Sequence, residues 1–101
     1  MIKVNVTYKD NLVSVISLDG HADYDTYGKD LVCAGVSTCF LGSLNAIKEK
    51  NKINYSYSEG KGYIKVLKEL STYDEIVLEV LISQLQFIGK NYPNNVKVIC
   101  E

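Results

Sequence analysis

Hydrophobic and polar residues alternate along three stretches of the chain. Ile2, Val4 and Val6 alternate with lysine, asparagine and threonine, and the same period of two recurs after residue 52 and between Val96 and Cys100. A period of two is typical of a half-buried β-strand, because successive side chains point to opposite faces of the sheet. These stretches therefore predict strands at both ends of the sequence and one in its middle.

Further strands follow from composition and from turn residues. The segment 12–18 is rich in β-branched residues, and Asp10 and Asn11 precede it. Because both Asp and Asn tolerate a left-handed backbone, they predict a tight turn between the first two strands. We expect a second hairpin to join strands at 53–57 and 63–67.

Two longer segments have the period of an α-helix. Between residues 31 and 50, apolar residues recur at spacings of four, four, four and three, which predicts one buried stripe. The stripe consists of Val32, Val36, Phe40, Leu44 and Ile47. A capping box, Thr72-x-x-Glu75, predicts the start of a second helix that ends before Pro93. Its predicted buried face consists of Val77, Val80, Leu81, Leu85 and Ile88.

The predicted element order is ββαββαβ, without repeats or linkers. This order indicates an α+β fold in which two helices pack against a largely antiparallel sheet. With 101 residues, the chain has the size of one domain, and we expect residues 1–101 to form it.

Composition narrows the possible functions. The net charge is −1, which disfavours a protein that coats nucleic-acid backbones. No apolar run reaches the length of about 18 residues that a membrane span needs, and the N-terminus lacks the pattern of a signal peptide. Three cysteines and one histidine suit neither a disulfide scaffold nor a structural zinc site. We expect a cytoplasmic protein with reduced thiols and without a metal or cofactor.

One segment combines irregular structure with reactive side chains. Residues 19–30 contain two glycines and four aspartates without an apolar period, and loops of this length are usually functional or disordered. His21, the single histidine, lies at the start of this loop, and Cys33 lies just after it in the first helical turn. We therefore expect the two side chains to face each other across the neck of the loop.

A cysteine at a helix N-terminus has the surroundings of a nucleophile. The helix dipole favours the thiolate, and a nearby imidazole can take the thiol proton. The first N–H groups of the helix can also receive an oxyanion. Ser37 lies one turn after Cys33 on the same face, so we expect its hydroxyl to donate a hydrogen bond near the thiolate. Asp30 can either cap the helix or orient the imidazole. Gly20 and Gly28 are the expected hinges of a loop whose length and lack of apolar period suit a closing motion.

The other thiols fit other interpretations. Cys39 and Cys100 follow the core periodicity, which predicts small buried side chains. A thiol redox protein that uses Cys33 with Cys39 as its resolving cysteine is disfavoured, because six helical residues place the two about 120° apart around the axis. Cysteine-dependent hydrolysis and a purely structural role for the loop remain the two alternatives.

A resemblance to a known family adds to this interpretation. Gly20-His21-Ala22, Gly28 and the run from Asp30 to Ser37 resemble the signature of the ribosomal-processing cysteine protease family (Prp), with the same spacing. The element order and length are similar over essentially the whole chain. The resemblance implies Cys33 as nucleophile and His21 as general acid/base, with Ser37, Asp30 and Gly20 supporting the site.

The resemblance also implies a biological role. Members of this family are bacterial cytoplasmic endopeptidases that form homodimers. They remove a short N-terminal extension from a large-subunit ribosomal protein, cutting after a pair of aromatic residues. It therefore implies a protein substrate, without direct binding of nucleic acid or membrane. The alternative is a non-catalytic, dimeric ribosome-assembly or interaction module in which His21 and Cys33 only shape the loop.

Overall fold

The computed structural model describes residues 1–26 and 30–101. The elements are β1 (Ile2–Lys9), β2 (Leu12–Asp19), α1 (Leu31–Ala46), β3 (Ile53–Ser58), β4 (Lys61–Val66), α2 (Thr72–Asn91) and β5 (Val96–Cys100). A short 3-10 turn, Lys50–Lys52, leads into β3. The predicted order ββαββαβ is confirmed.

The strands form one sheet in the order β3-β4-β2-β1-β5. Among the strands that the structure describes, β5 alone pairs in parallel, with β1, so this sheet is largely antiparallel as predicted. Asp10 and Asn11 have φ angles of 53° and 66°, which confirms the left-handed turn between β1 and β2. β4 begins at Lys61 rather than Tyr63, because Lys61 and Gly62 pair with the end of β2.

The helices cover one face of the sheet. Ile2, Val4 and Val6 of β1 are buried while the residues between them are exposed, and they share one core with apolar side chains of both helices. The stripe predicted for α1 is buried along its whole length: Val32, Val36, Phe40, Leu44 and Ile47. The opposite face of the sheet carries the polar residues of the alternating pattern.

The start and the buried face of α2 differ from the prediction. Val80 is 48% exposed because it lies about 200° around the helix axis from Leu78, which is buried. Leu78 and Ile82 occupy the core instead. The N-cap is Ser71 rather than Thr72.

α1 ends at Ala46 rather than near Lys50. The N–H groups of Lys48 and Glu49 donate to the two carboxylate oxygens of Asp74, at 2.9 and 3.0 Å. Asp74 is fully buried in the first turn of α2. The helix therefore ends before Lys48, because the next N–H groups pair with the buried Asp74 carboxylate of the neighbouring helix.

The two cysteines assigned to the core differ from each other. Cys39 is half-buried and packs against the core, and burial raises the pKa of its thiol. Cys100 is exposed, so its predicted burial is wrong. The reason is that β5 is an edge strand of the sheet, in which burial decreases from Val96 towards Cys100.

Candidate active site

A cavity of about 510 Å³ lies where the end of β2, the start of α1 and the β3–β4 turn meet. Five of the six residues singled out from the sequence line it: Gly20, His21, Asp30, Cys33 and Ser37. Gly28, the other expected hinge, falls in 27–29, outside the described residues. The fold therefore gathers the candidate site residues from two elements around one space.

Asp30 fastens the loop to the first turn of α1. One carboxylate oxygen accepts the N–H of Cys33 at 2.9 Å, and the other accepts the N–H of Tyr24 at 2.8 Å. Of the two arrangements expected for Asp30, the structure shows the helix cap. No hydrogen bond joins Asp30 to His21 in the part of the chain that the structure describes. The carboxylate thus links the backbone of Cys33 to that of Tyr24.

The same contacts set the charge of Asp30. Burial by itself raises the pKa of this carboxyl group, but backbone N–H donors, led by that of Cys33, together lower it below its ordinary value. A carboxylate that accepts several N–H groups is favoured in its charged form. Asp30 is therefore a negative cap at neutral pH, where it also complements the helix dipole.

The sulfur of Cys33 receives a hydrogen bond from the loop. Its Sγ accepts the backbone N–H of Ala22 at 3.2 Å. The N–H of Cys33 and that of Ala34 both donate to Asp30, at 2.9 and 3.0 Å. These two N–H groups are therefore engaged by Asp30, and the expectation that N–H groups at the helix start receive an oxyanion stays a prediction. The donor directed at the sulfur comes from the residue next to His21 instead.

Two glycines place His21 at the cavity. Gly20 has a φ of 104°, and a side chain there would collide with the Met1 carbonyl oxygen. Its N–H donates to the Gly60 carbonyl oxygen at 2.8 Å. Gly60 has a φ of 79°, and a Cβ atom there would lie 2.8 Å from His21 Nε2. Gly20 therefore forms a turn in which a side chain does not fit, and the imidazole lies against the backbone of the β3–β4 turn. The hinge role of Gly20 stays a prediction.

His21 and Cys33 lie on the wall of the same cavity. Within residues 1–26 and 30–101, no hydrogen bond joins the imidazole to Sγ. Catalytic hydrogen bonds are often long in unliganded enzymes and shorten when substrate binds. The arrangement is compatible with an acid/base role for the exposed imidazole of His21.

The hydroxyl of Ser37 pairs with a residue that the sequence analysis did not identify. Ser37 Oγ lies 2.7 Å from the hydroxyl oxygen of Tyr57 on β3. The Tyr57 ring packs against Phe40, with 5.5 Å between ring centroids, and also lines the cavity. The alternation of β3 placed Tyr57 on a strand, but not opposite this turn of α1. Ser37 was expected to donate toward Cys33, and the structure pairs it with Tyr57.

Asn95 is the second residue that the sequence analysis missed. Its side-chain Nδ2 donates to the carbonyl oxygen of Ala22 at 2.9 Å, across 73 positions of sequence. Local patterns carry no signal for such a contact, since the parallel pairing of β5 with β1 creates it.

The described residues contain neither a cluster of metal ligands nor a membrane-spanning helix. Among the residues that the structure describes, no group of three or more His, Cys, Asp or Glu side chains could hold a metal ion. Neither described helix is both long and apolar enough to cross a membrane.

Comparison with known proteins decides the family. The family model described as Cysteine protease Prp matches residues 1–97. The chain belongs to the Prp family. It is a cysteine protease, and its fold matches those of solved Prp structures.

Curated relatives and solved structures agree with this assignment. The ribosomal processing cysteine protease Prp of Staphylococcus aureus is 35% identical over 103 residues, covering 97% of each chain. The Prp of Bacillus subtilis is 28% identical over 89 residues, covering 80% of each. The structure of S. aureus Prp with a covalently linked product peptide has a TM-score of 0.89 at 29% identity, and the one with a substrate peptide has 0.77 at 27%. Both comparisons cover the whole of each chain.

Proposed function

We propose that this Prp protein removes the short N-terminal extension of a large-subunit ribosomal protein, with Cys33 as nucleophile and His21 as general acid/base. The observation that carries the proposal is that both residues line one cavity of about 510 Å³. Ala22 follows His21 directly and donates its N–H to Cys33 Sγ. The names of the relatives, and the peptides bound in their structures, support a ribosomal protein as substrate.

The first half of the reaction forms an acyl-enzyme. His21 takes the proton of the Cys33 thiol, and Sγ attacks the carbonyl carbon of the scissile peptide bond. As the S–C bond forms, an electron pair of the carbonyl group moves to its oxygen. The tetrahedral intermediate then collapses, the C–N bond breaks, and His21 gives its proton to the leaving amine.

The second half releases the new carboxylate. A water molecule gives a proton to His21 and attacks the thioester carbon, and collapse of the second intermediate breaks the S–C bond. The sulfur leaves as thiolate and takes the proton back from His21. The net change is hydrolysis of one peptide bond by one water molecule, with both side chains restored.

The remaining site residues have supporting roles in this proposal. Gly20 sets the direction of the chain before His21, and Asp30 fixes the backbone of Cys33. Ser37, paired with Tyr57, forms part of the cavity wall. The catalytic unit is the single domain 1–101.

We also propose that the protein is a cytoplasmic homodimer that binds its protein substrate without contacting nucleic acid. Light scattering coupled to size-exclusion chromatography should give about twice the chain mass of 11.3 kDa. A mass of one chain at micromolar concentration would contradict the dimer, without bearing on the peptidase.

A cleavage assay tests the function. The purified protein should cut the ribosomal precursor once, and Cys33→Ala and His21→Ala should each abolish the cut while keeping the wild-type circular dichroism spectrum. Cys39→Ser and Cys100→Ser are the matched controls and should still cleave. Full cleavage by Cys33→Ala would exclude the proposed mechanism. Tight binding of the precursor without any cleavage by the wild type would favour the non-catalytic assembly module.

A further inference from the structure

Ala22 is the point at which the loop meets the nucleophile. It is fully buried, and both of its backbone polar groups are used. Its N–H donates to Cys33 Sγ at 3.2 Å, and its carbonyl oxygen accepts Asn95 Nδ2 at 2.9 Å. The position of the N–H relative to the sulfur therefore depends on what holds the backbone of Ala22.

Asn95 is itself held by the fold. Its carbonyl oxygen accepts the N–H of Ile2 at 2.9 Å, and its own N–H donates to the Tyr92 carbonyl oxygen at 3.0 Å. These backbone bonds attach it to the start of β1 and to the end of α2. Its carboxamide thus reaches Ala22 from a fixed base, and only its N–H₂ end can donate to a carbonyl oxygen.

We propose that Asn95 is a positioning residue for the reaction centre. By holding the Ala22 carbonyl, it keeps the Ala22 N–H directed at Cys33 Sγ. There the N–H stabilises negative charge on the sulfur before attack, and on the adjacent carbonyl oxygen as the tetrahedral intermediate forms. The inference rests on the proposed peptidase function.

The contacts at the helix start strengthen this assignment. The N–H groups of Cys33 and Ala34 donate to Asp30 and are not available. In the described residues, Ala22 is the one hydrogen-bond donor to Cys33 Sγ. The position of such a donor matters for catalysis, since a displacement of about 1 Å can reduce the reaction rate roughly 100-fold.

Steady-state cleavage of a precursor peptide by four full-length variants tests the proposal. Asn95→Ala should lower kcat roughly tenfold, with KM within about twofold of wild type, because the defect lies in the reaction and not in binding. Asn95→Asp, which has the same shape without an N–H donor, should lose as much. Asn95→Gln, which keeps the carboxamide, should recover part of kcat. Asn94→Ala, at the exposed neighbouring position, is the control and should match wild type.

A second measurement separates this inference from the peptidase proposal. In ¹⁵N-labelled protein, Asn95→Ala should shift the Ala22 amide resonance and accelerate its hydrogen exchange, and Asn94→Ala should do neither. Unchanged Ala22 exchange would overturn the positioning role, whether or not the protein cleaves peptides. An unchanged kcat together with a lower melting temperature would also overturn it, because a purely structural contact predicts that result. If the wild type fails to cleave while Ala22 exchange still depends on Asn95, that result would contradict the peptidase proposal and the catalytic role of this contact.

Discussion

Two glycines, Gly20 and Gly60, make room for the position of His21. The positive φ of Gly20 turns the chain beside the Met1 carbonyl oxygen, and Gly60 leaves the space that the imidazole fills. Glycine adopts such backbone angles at the least cost, because it has no Cβ atom. The geometry of the proposed catalytic pair thus depends on two residues that carry no chemistry of their own.

Substitution of Gly20 should therefore damage both stability and activity. We expect Gly20→Ala to lower the free energy of unfolding by roughly 2 kcal/mol, because a Cβ atom meets backbone there and φ is positive. Urea denaturation and precursor cleavage measure the two effects. The control is Gly42→Ala, since Gly42 is a helical glycine with nothing within 4 Å, and it should gain up to about 1 kcal/mol. If Gly20→Ala unfolded at the same urea concentration as the wild type, this account would be contradicted.

At the scale of elements, aspartates hold both ends of α1. Asp30 caps its N-terminus beside Cys33, and Asp74, from the first turn of α2, binds the N–H groups that follow its C-terminus. The helix that carries the proposed nucleophile is thereby joined to the loop at its N-terminus and to the second helix at its C-terminus.

Loss of the buried Asp74 carboxylate should lower the stability of the folded protein. Asp74→Ala leaves the N–H groups of Lys48 and Glu49 without their acceptor, and we expect it to lower the free energy of unfolding by about 3 kcal/mol. Asp74→Asn keeps one acceptor oxygen and the side-chain shape, so it should lower the free energy of unfolding by less than Asp74→Ala does. Chemical denaturation compares the two variants. Equal stability of Asp74→Ala and wild type would show that these hydrogen bonds contribute nothing.

The helix cap predicts a dependence of stability on pH. The folded state lowers the pKa of Asp30, so its stabilising contribution is complete above the unfolded value of about 3.9 and is lost as pH falls through the lower folded value. The difference in unfolding free energy between wild type and Asp30→Asn should therefore shrink between pH 6 and pH 3. Denaturation series at several pH values measure it. A difference that stays constant over this range would contradict the assigned charge.

For the whole molecule, local patterns predicted the order of elements and their short-range contacts, but not the contacts between residues far apart in the sequence. The alternation of Ile2, Val4 and Val6 and the turn at Asp10 and Asn11 were sufficient for the first hairpin. Spacing along the chain also indicated that His21 would return to the start of the helix bearing Cys33. These features are encoded within about a dozen residues, where steric and periodic rules act directly.

The features that were missed depend on long-range packing. Val80 matched the helical period but lies on the exposed side, because the rotation of α2 is set by its neighbours. Asp74, Tyr57 and Asn95 contact residues 20 or more positions away. A single sequence contains no local signal for such pairs, and two of the three contribute to the proposed active site.

Labelling of the active site tests the central claim most directly. A peptide that matches the precursor's N-terminal extension and ends in a chloromethyl ketone should alkylate one thiol, with loss of chloride. We expect the intact mass to rise by one label, fragmentation to place it on Cys33 rather than on Cys39 or Cys100, and His21→Ala to label far more slowly. Excess precursor should compete with the label. Labelling at another residue, or full cleavage of the precursor by protein whose Cys33 is already blocked, would contradict the account.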